Sequence, residues 1–165
     1  MMLINMLGFN LIWFGLLYWG NMFIPVALGL LVIHFKYLSK IKKEIRLVLL
    51  ITVIGVSVDS FLHFINFFSF PNANFTPFWL MVLWACFAST VCHSLTFLSS
   101  SKKSQLIIGG GFAPLSYLAG EKFSMVAFTY SLPITFSVLA LIWGCLFLLF
   151  FYLKSVILQR DLHYA

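Results

Sequence analysis

The sequence predicts an all-α membrane protein: a bundle of about six transmembrane helices with both termini cytoplasmic. Three observations predict it. Of 165 residues, 62% are hydrophobic and 8% are charged, whereas soluble domains carry about a quarter charged residues. Mean hydropathy is +1.06, and the apolar residues come in runs approaching the roughly 20 residues that cross a bilayer core. The basic residues collect in alternate connecting segments, as topology-setting charges do. A chain of this length makes one compact bundle, so residues 1–165 are read as a single polytopic domain.

Each span has its own boundary chemistry. The first, Leu3–Trp19, has no Lys or Arg before it and no small-residue cleavage site, so it reads as a retained helix rather than a signal peptide. Gly20-Asn21 is turn chemistry, and Met22–Leu38 follows as the second span. "KYLSKIKKEIR", residues 36–46, carries five of the ten basic residues and leads into the third span, Leu47–Phe68. "FPNANFTP", residues 70–77, places a proline on each side of an Asn-rich turn before the fourth span, Phe78–Leu98. The polar "SSSKKSQ" separates that span from the fifth, Leu106–Gly120, which is short and holds "GGGFAPLSYLAG". Its glycines permit either close helix approach or a helix break. Residues 121–131 read as an interfacial loop or as a lengthening of the sixth span, Pro133–Leu153.

With six spans, Lys36, Lys40, Lys42, Lys43, Arg46, Lys102, Lys103, Lys154 and Arg160 all face one side, and Lys122 alone faces the other. That side is cytoplasmic by the positive-inside rule. Five spans would split the same charges. The net charge of +6 is this asymmetry. It suits anionic lipid headgroups near residues 36–46 and gives no sign of a nucleic-acid partner.

Polar groups in hydrocarbon need a reason, because a central Asp costs about 2.5–3.5 kcal/mol to insert. Asp59 is the only acid deep in a predicted span. It shares a helix face with His63 and Asn66, at i+4 and i+7. It lies about 18 Å from the cytoplasmic edge at 1.5 Å per residue, and Tyr117 falls at a similar depth. Cys86, Thr90 and His93 form a second stripe on the fourth span, with His93 about 8 Å from the inner edge. His34 falls at a similar depth, so His34 and His93 are expected to approach one another. The candidate functional residues are therefore Asp59, His63 and Tyr117 near the midplane, and His34 and His93 near the cytoplasmic leaflet. Beside each stands the plainer role of joining helices by hydrogen bonds worth about 0.6 kcal/mol each. His163 lies in the tail and reads as solvated.

Other chemistry is weakly signalled. Cys86, Cys92 and Cys145 lie in apolar runs without a CxxC and read as free thiols. There is no HExxH motif, and the adjacent Cys92 and His93 point to different helix faces, so no metal site and no cofactor are expected. In "SKKSQLIIGGG" the lysines precede the glycines, which is not the order of a phosphate loop.

"WLMVLWACFASTVCHSLTFL", residues 79–98, followed by "GFAPLSYLAGEKF", residues 111–123, resembles the bacterial membrane family catalogued as domain of unknown function 2878. The family pattern falls on Leu83, Trp84, Phe87, Ala88, Thr90, His93, Ser94 and Leu95, then on Pro114, Leu115, Tyr117 and Gly120. The resemblance carries no established activity. Through the family's association with fatty-acid-modifying enzymes of the cyclopropane-synthase type, it implies envelope lipid metabolism. The partners expected are membrane lipids and envelope lipid-modifying enzymes, and the expected location is the bacterial inner membrane.

Three functions fit. A small accessory or lipid-handling protein, not itself an enzyme, predicts a closed bundle with paired polar groups and an exposed partner surface. A proton-linked carrier using Asp59 predicts a polar cavity reaching that residue. A membrane-embedded lipid-modifying enzyme predicts polar side chains converging beside a lipid-sized groove.

Overall fold

The structure, a computed structural model, describes residues 2–39, 43–71 and 73–159. Lys40, Lys42, Arg160 and His163 lie outside these. Among the described residues the fold is all-helical apart from one pair of two-residue strands. The helices are α1 (Met2–Trp19), α2 (Ile24–Ile33), α3 (Glu44–Phe64), α4 (Phe78–Thr90), α5 (Lys102–Lys122) and α6 (Leu132–Gln159). The strands are β1 (Phe68–Ser69) and β2 (Ala127–Phe128), paired antiparallel.

Helical structure is nearly continuous over Met2–Leu38, yet the chain folds back on itself there. Gly20 takes φ +54°, a left-handed conformation open to glycine at little cost. Pro25 sits in the first turn of α2, where its missing N–H is harmless. The fold-back is proved by Asn5, near the start of α1, whose Nδ2 is 3.3 Å from Nδ1 of His34, just past the end of α2.

Both α3 and α5 end in the same way. Asn66 and Ser124 adopt left-handed φ of 55° and 57°. Phe67 N–H returns to Leu62 O at 2.9 Å, and Met125 N–H returns to Gly120 O at 2.8 Å. These six-to-one bonds satisfy the last carbonyls of each helix. The chain leaving each cap becomes β1 or β2, so the two loops meet at one end of the bundle. At the opposite end, Lys154 on α6 donates to Val91 O at 2.9 Å and to Thr96 Oγ1 and Ser99 Oγ, both at 3.0 Å.

Close contacts hold the helices together. A Cβ on Gly110 of α5 would stand 2.8 Å from Ala140 O on α6, so these backbones nearly touch. Gly109 and Gly110 are thus the approach surface of the run, and α5 is unbroken through it and through Pro114. Gly55 on α3 lets the Trp84 indole of α4 lie directly on the helix, where any Cβ would collide with the ring. Trp84 stacks in turn on Trp143 of α6, with centroids 4.9 Å apart and planes 5° apart.

Among the described residues, three helical stretches are long and apolar enough to cross a membrane: Met2–Leu38, Glu44–Phe64 and Leu132–Leu158. The outer surface fits lipid: Val32, Phe64, Ile107 and Leu141 are all exposed.

Several expected boundaries move. The third helix starts three residues earlier than expected and ends at Phe64, leaving Asn66 in the cap. The fourth stops at Thr90 rather than Leu98, and a 3-10 turn, Thr96–Ser100, follows. Ser89 and Thr90 hydroxyls bond back to Cys86 O and Phe87 O at 2.7 and 2.6 Å, local competition that weakens a helix. α5 begins at Lys102, capped by Ser101 Oγ accepting from Ser104 N–H at 3.2 Å. Residues 123–131 form a loop with β2 and do not lengthen α6.

Candidate functional site

Two buried carboxylates organise the interior. Asp59 is fully buried. Trp84 Nε1–H donates to its Oδ2 at 2.6 Å, and Tyr117 O–H donates to its Oδ1 at 2.7 Å. Gly55 makes this possible, since it lies one turn before Asp59 and seats the indole that reaches the acid. One carboxylate thereby ties α3, α4 and α5 together, with each oxygen held by a rigid aromatic donor.

The sequence placed Tyr117 at the depth of Asp59, and the two are bonded. His63 is not part of this group. Its Nδ1 faces Phe68 O at 3.4 Å and its ring lies 5.2 Å from that of Phe70, so it braces the loop beyond α3. The one-turn spacing from Asp59 is real, but the helix ends directly after His63 and the descending chain draws the ring outward.

Glu44, in the first turn of α3, is the second carboxylate, also fully buried. Nε2 of His34 and Nε2 of His93 stand 2.8 and 2.9 Å from its Oε1. Ser39 Oγ donates to Oε2 at 2.6 Å. The two imidazole rings are 4.7 Å apart and nearly perpendicular. His34 belongs to the π-helical turn His34–Leu38 that ends the second helix. His93 lies beyond the end of α4, which takes it off the expected stripe with Cys86 and Thr90 and frees it to reach across to α3. Asn5 completes the group: Ser94 N–H and Oγ–H donate to its Oδ1 at 3.2 and 2.7 Å.

Sequence reasoning brought His34 and His93 together but missed Glu44, which sits in the basic segment 36–46 ahead of the expected third span. The signal available was its place in the first helical turn, where a carboxylate favours the N-terminal dipole. Trp84 was visible only as a motif residue, and its bond to Asp59 was not legible.

Between α1, α4, α5 and α6 lies a cleft of about 710 Å³. Phe9, Trp13, Phe87, Phe112 and Phe147 make its walls apolar. Thr90, Ser94 and Ser116 supply a few hydroxyls, and Trp84 and Tyr117 form the inner wall that separates it from Asp59. Of the remaining motif residues, Gly120 lines the cleft, while Pro114 is buried within α5. Ser94 belongs to both features, since it lines the cleft and holds Asn5 beside His34.

No curated protein and no solved structure matches this chain. The family is nonetheless shown by residues 2–149, which match the family model described as protein of unknown function DUF2878. The chain belongs to that family.

Proposed function

We propose that this protein is a lipid-handling protein of the bacterial inner membrane, which holds an acyl chain in the cleft between α1, α4, α5 and α6. The expectation of a closed bundle is met only in the paired polar groups around Asp59; the bundle opens into a cleft, and that cleft carries this reading. Its volume of about 710 Å³ falls within the range of about 300–1,000 Å³ of small-molecule sites. Its aromatic walls and sparse hydroxyls suit a long apolar chain with a modest polar end. Asp59 gives the carrier reading no support: it has no exposed surface, and both its oxygens are bonded to the wall. Its role here is structural.

The topology that accompanies this reading has six passes, with both termini and the Glu44 end cytoplasmic. Every described basic residue except Lys122 lies toward that end. In a cysteine-free background, an impermeant thiol reagent added from outside should modify a cysteine introduced at Ala73 and miss one at Ser101. The reverse pattern contradicts the orientation.

One observation favours a second reading, that of a membrane-embedded lipid-modifying enzyme. Ser94 at the cleft joins through Asn5 to His34, and so to Glu44 and His93. On either reading the partners are membrane lipids and, through them, envelope lipid-modifying enzymes.

A fatty acid with a terminal photoactivatable group tests the cleft in native membranes. Adducts should concentrate on peptides containing Phe9, Phe87 and Phe147. An even spread over exposed residues such as Val32 and Leu141 would reject it.

A further inference from the structure

We propose that His34, Glu44 and His93 form a mononuclear site for a divalent transition metal, with two imidazoles and one carboxylate as ligands. The site stands apart from the question of what fills the cleft. The three ligand atoms lie within 4.8 Å of one another, a spacing that metal bonds of about 2.0–2.2 Å bridge with small adjustments. They come from three separate segments: the end of the second helix, the first turn of α3 and the chain beyond α4. Both imidazoles present Nε2 to the same carboxylate oxygen. Ser39 holds the other oxygen, an outer contact that fixes the carboxylate's orientation. Three protein ligands leave a coordination position open, as in catalytic rather than structural sites. Nitrogen and oxygen ligands of this kind suit Zn²⁺, Co²⁺ or Fe²⁺.

Asn5 sets the affinity of this site. A backbone N–H can only donate, so Ser94 N–H fixes Oδ1 of Asn5 toward itself. The Asn5 amide nitrogen, also a donor, then faces Nδ1 of His34. Nδ1 must carry the lone pair and Nε2 the proton, which goes to Glu44. This is the metal-free arrangement. Metal at Nε2 needs the proton on Nδ1 and an acceptor facing it. Asn5 can supply one only by turning its amide, which strands Ser94 N–H. An aspartate at this position accepts from Ser94 and from His34 together, with no such conflict.

The experiment is a Co²⁺ titration of the chelator-stripped, full-length protein in lipid nanodiscs, read by visible absorption and competed with Zn²⁺. Wild type should bind one equivalent per chain. Glu44→Gln and His93→Ala should weaken binding by a hundredfold or more. Asn5→Asp should tighten it by about tenfold, a gain that a merely structural Asn5 would not give. Absence of saturable binding, or binding unchanged by Glu44→Gln and His93→Ala, overturns the site. Unchanged or weaker binding by Asn5→Asp overturns the tuning. Should the variants fail to fold, the Co²⁺-loaded wild type decides. Two paramagnetically shifted imidazole N–H resonances support the site, and none overturns it.

Discussion

The two buried carboxylates differ in what surrounds them. Asp59 meets an indole and a phenol, one on each oxygen, in the middle of the helix packing. An indole N–H only donates and a phenol is a poor base, so the bonds around Asp59 join three helices, and the proposed role for it is a clamp. Glu44 meets two imidazoles on one oxygen at the end of the bundle, and the His93 side chain keeps 13% of its surface. Imidazole nitrogens can give or receive a proton and can bind metal. The same acid group thus meets fixed donors in one place and groups able to exchange a proton or bind metal in the other. Donor chemistry and access make the difference.

If Asp59 is a clamp, its removal should cost more than any other change considered. Each buried donor left unpaired costs about 1–3 kcal/mol, and Asp59→Leu strands two. Its thermal unfolding temperature in detergent should fall furthest. Asp59→Asn should also lose stability, because its amide N–H₂ faces one of the two donors, but it should keep its lipid. An Asn variant as stable as wild type that retains no lipid would reverse the comparison and make Asp59 the functional group.

Gly55→Ala sharpens the same point without touching a polar atom. The new methyl collides with Trp84 and should push the indole away from Asp59, costing about 1–3 kcal/mol, as overpacking does. Unaltered stability would show that the indole can shift without loss. Tyr117→Phe removes one bond to Asp59 and should cost about 1 kcal/mol, measured in the same melts. The smallest effect belongs to the other carboxylate. Glu44→Gln keeps an acceptor for the histidines, so the fold should lose about 1 kcal/mol or less. A collapse of the fold in Glu44→Gln would make this group a second clamp.

Much of this was legible in the sequence. Apolar runs and their breaks placed the helices of the described residues, with starts within about four residues, but missed the ends of α2, α4 and α6 by five, eight and six residues. Counting depth along the helices paired Tyr117 with Asp59, and His34 with His93. What failed was local. His63 lies one turn from Asp59, but spacing along a helix says nothing about a side chain drawn outward by the cap beyond it. His93 left its predicted helix face because Ser89 and Thr90 bond back to their own carbonyls and α4 ends. Glu44 was passed over because it lies in a segment dominated by basic residues, ahead of the predicted third span. Its burial depends on the π-helical turn that brings His34 over it, and a period of 3.6 residues cannot register that turn. The cleft was beyond reach for a related reason: it is made of apolar residues on four helices, each indistinguishable in sequence from a lipid-facing neighbour.

The most direct test of the cleft is native mass spectrometry of the protein released from membranes into a delipidating detergent. Wild type should retain one lipid or fatty acid per chain. Ala113→Trp and Ser116→Phe, which fill the cleft from α5, should lose it, while Val32→Trp on the exposed outer face should keep it. A wild-type protein that retains no lipid, or equal retention in all four proteins, would contradict the account.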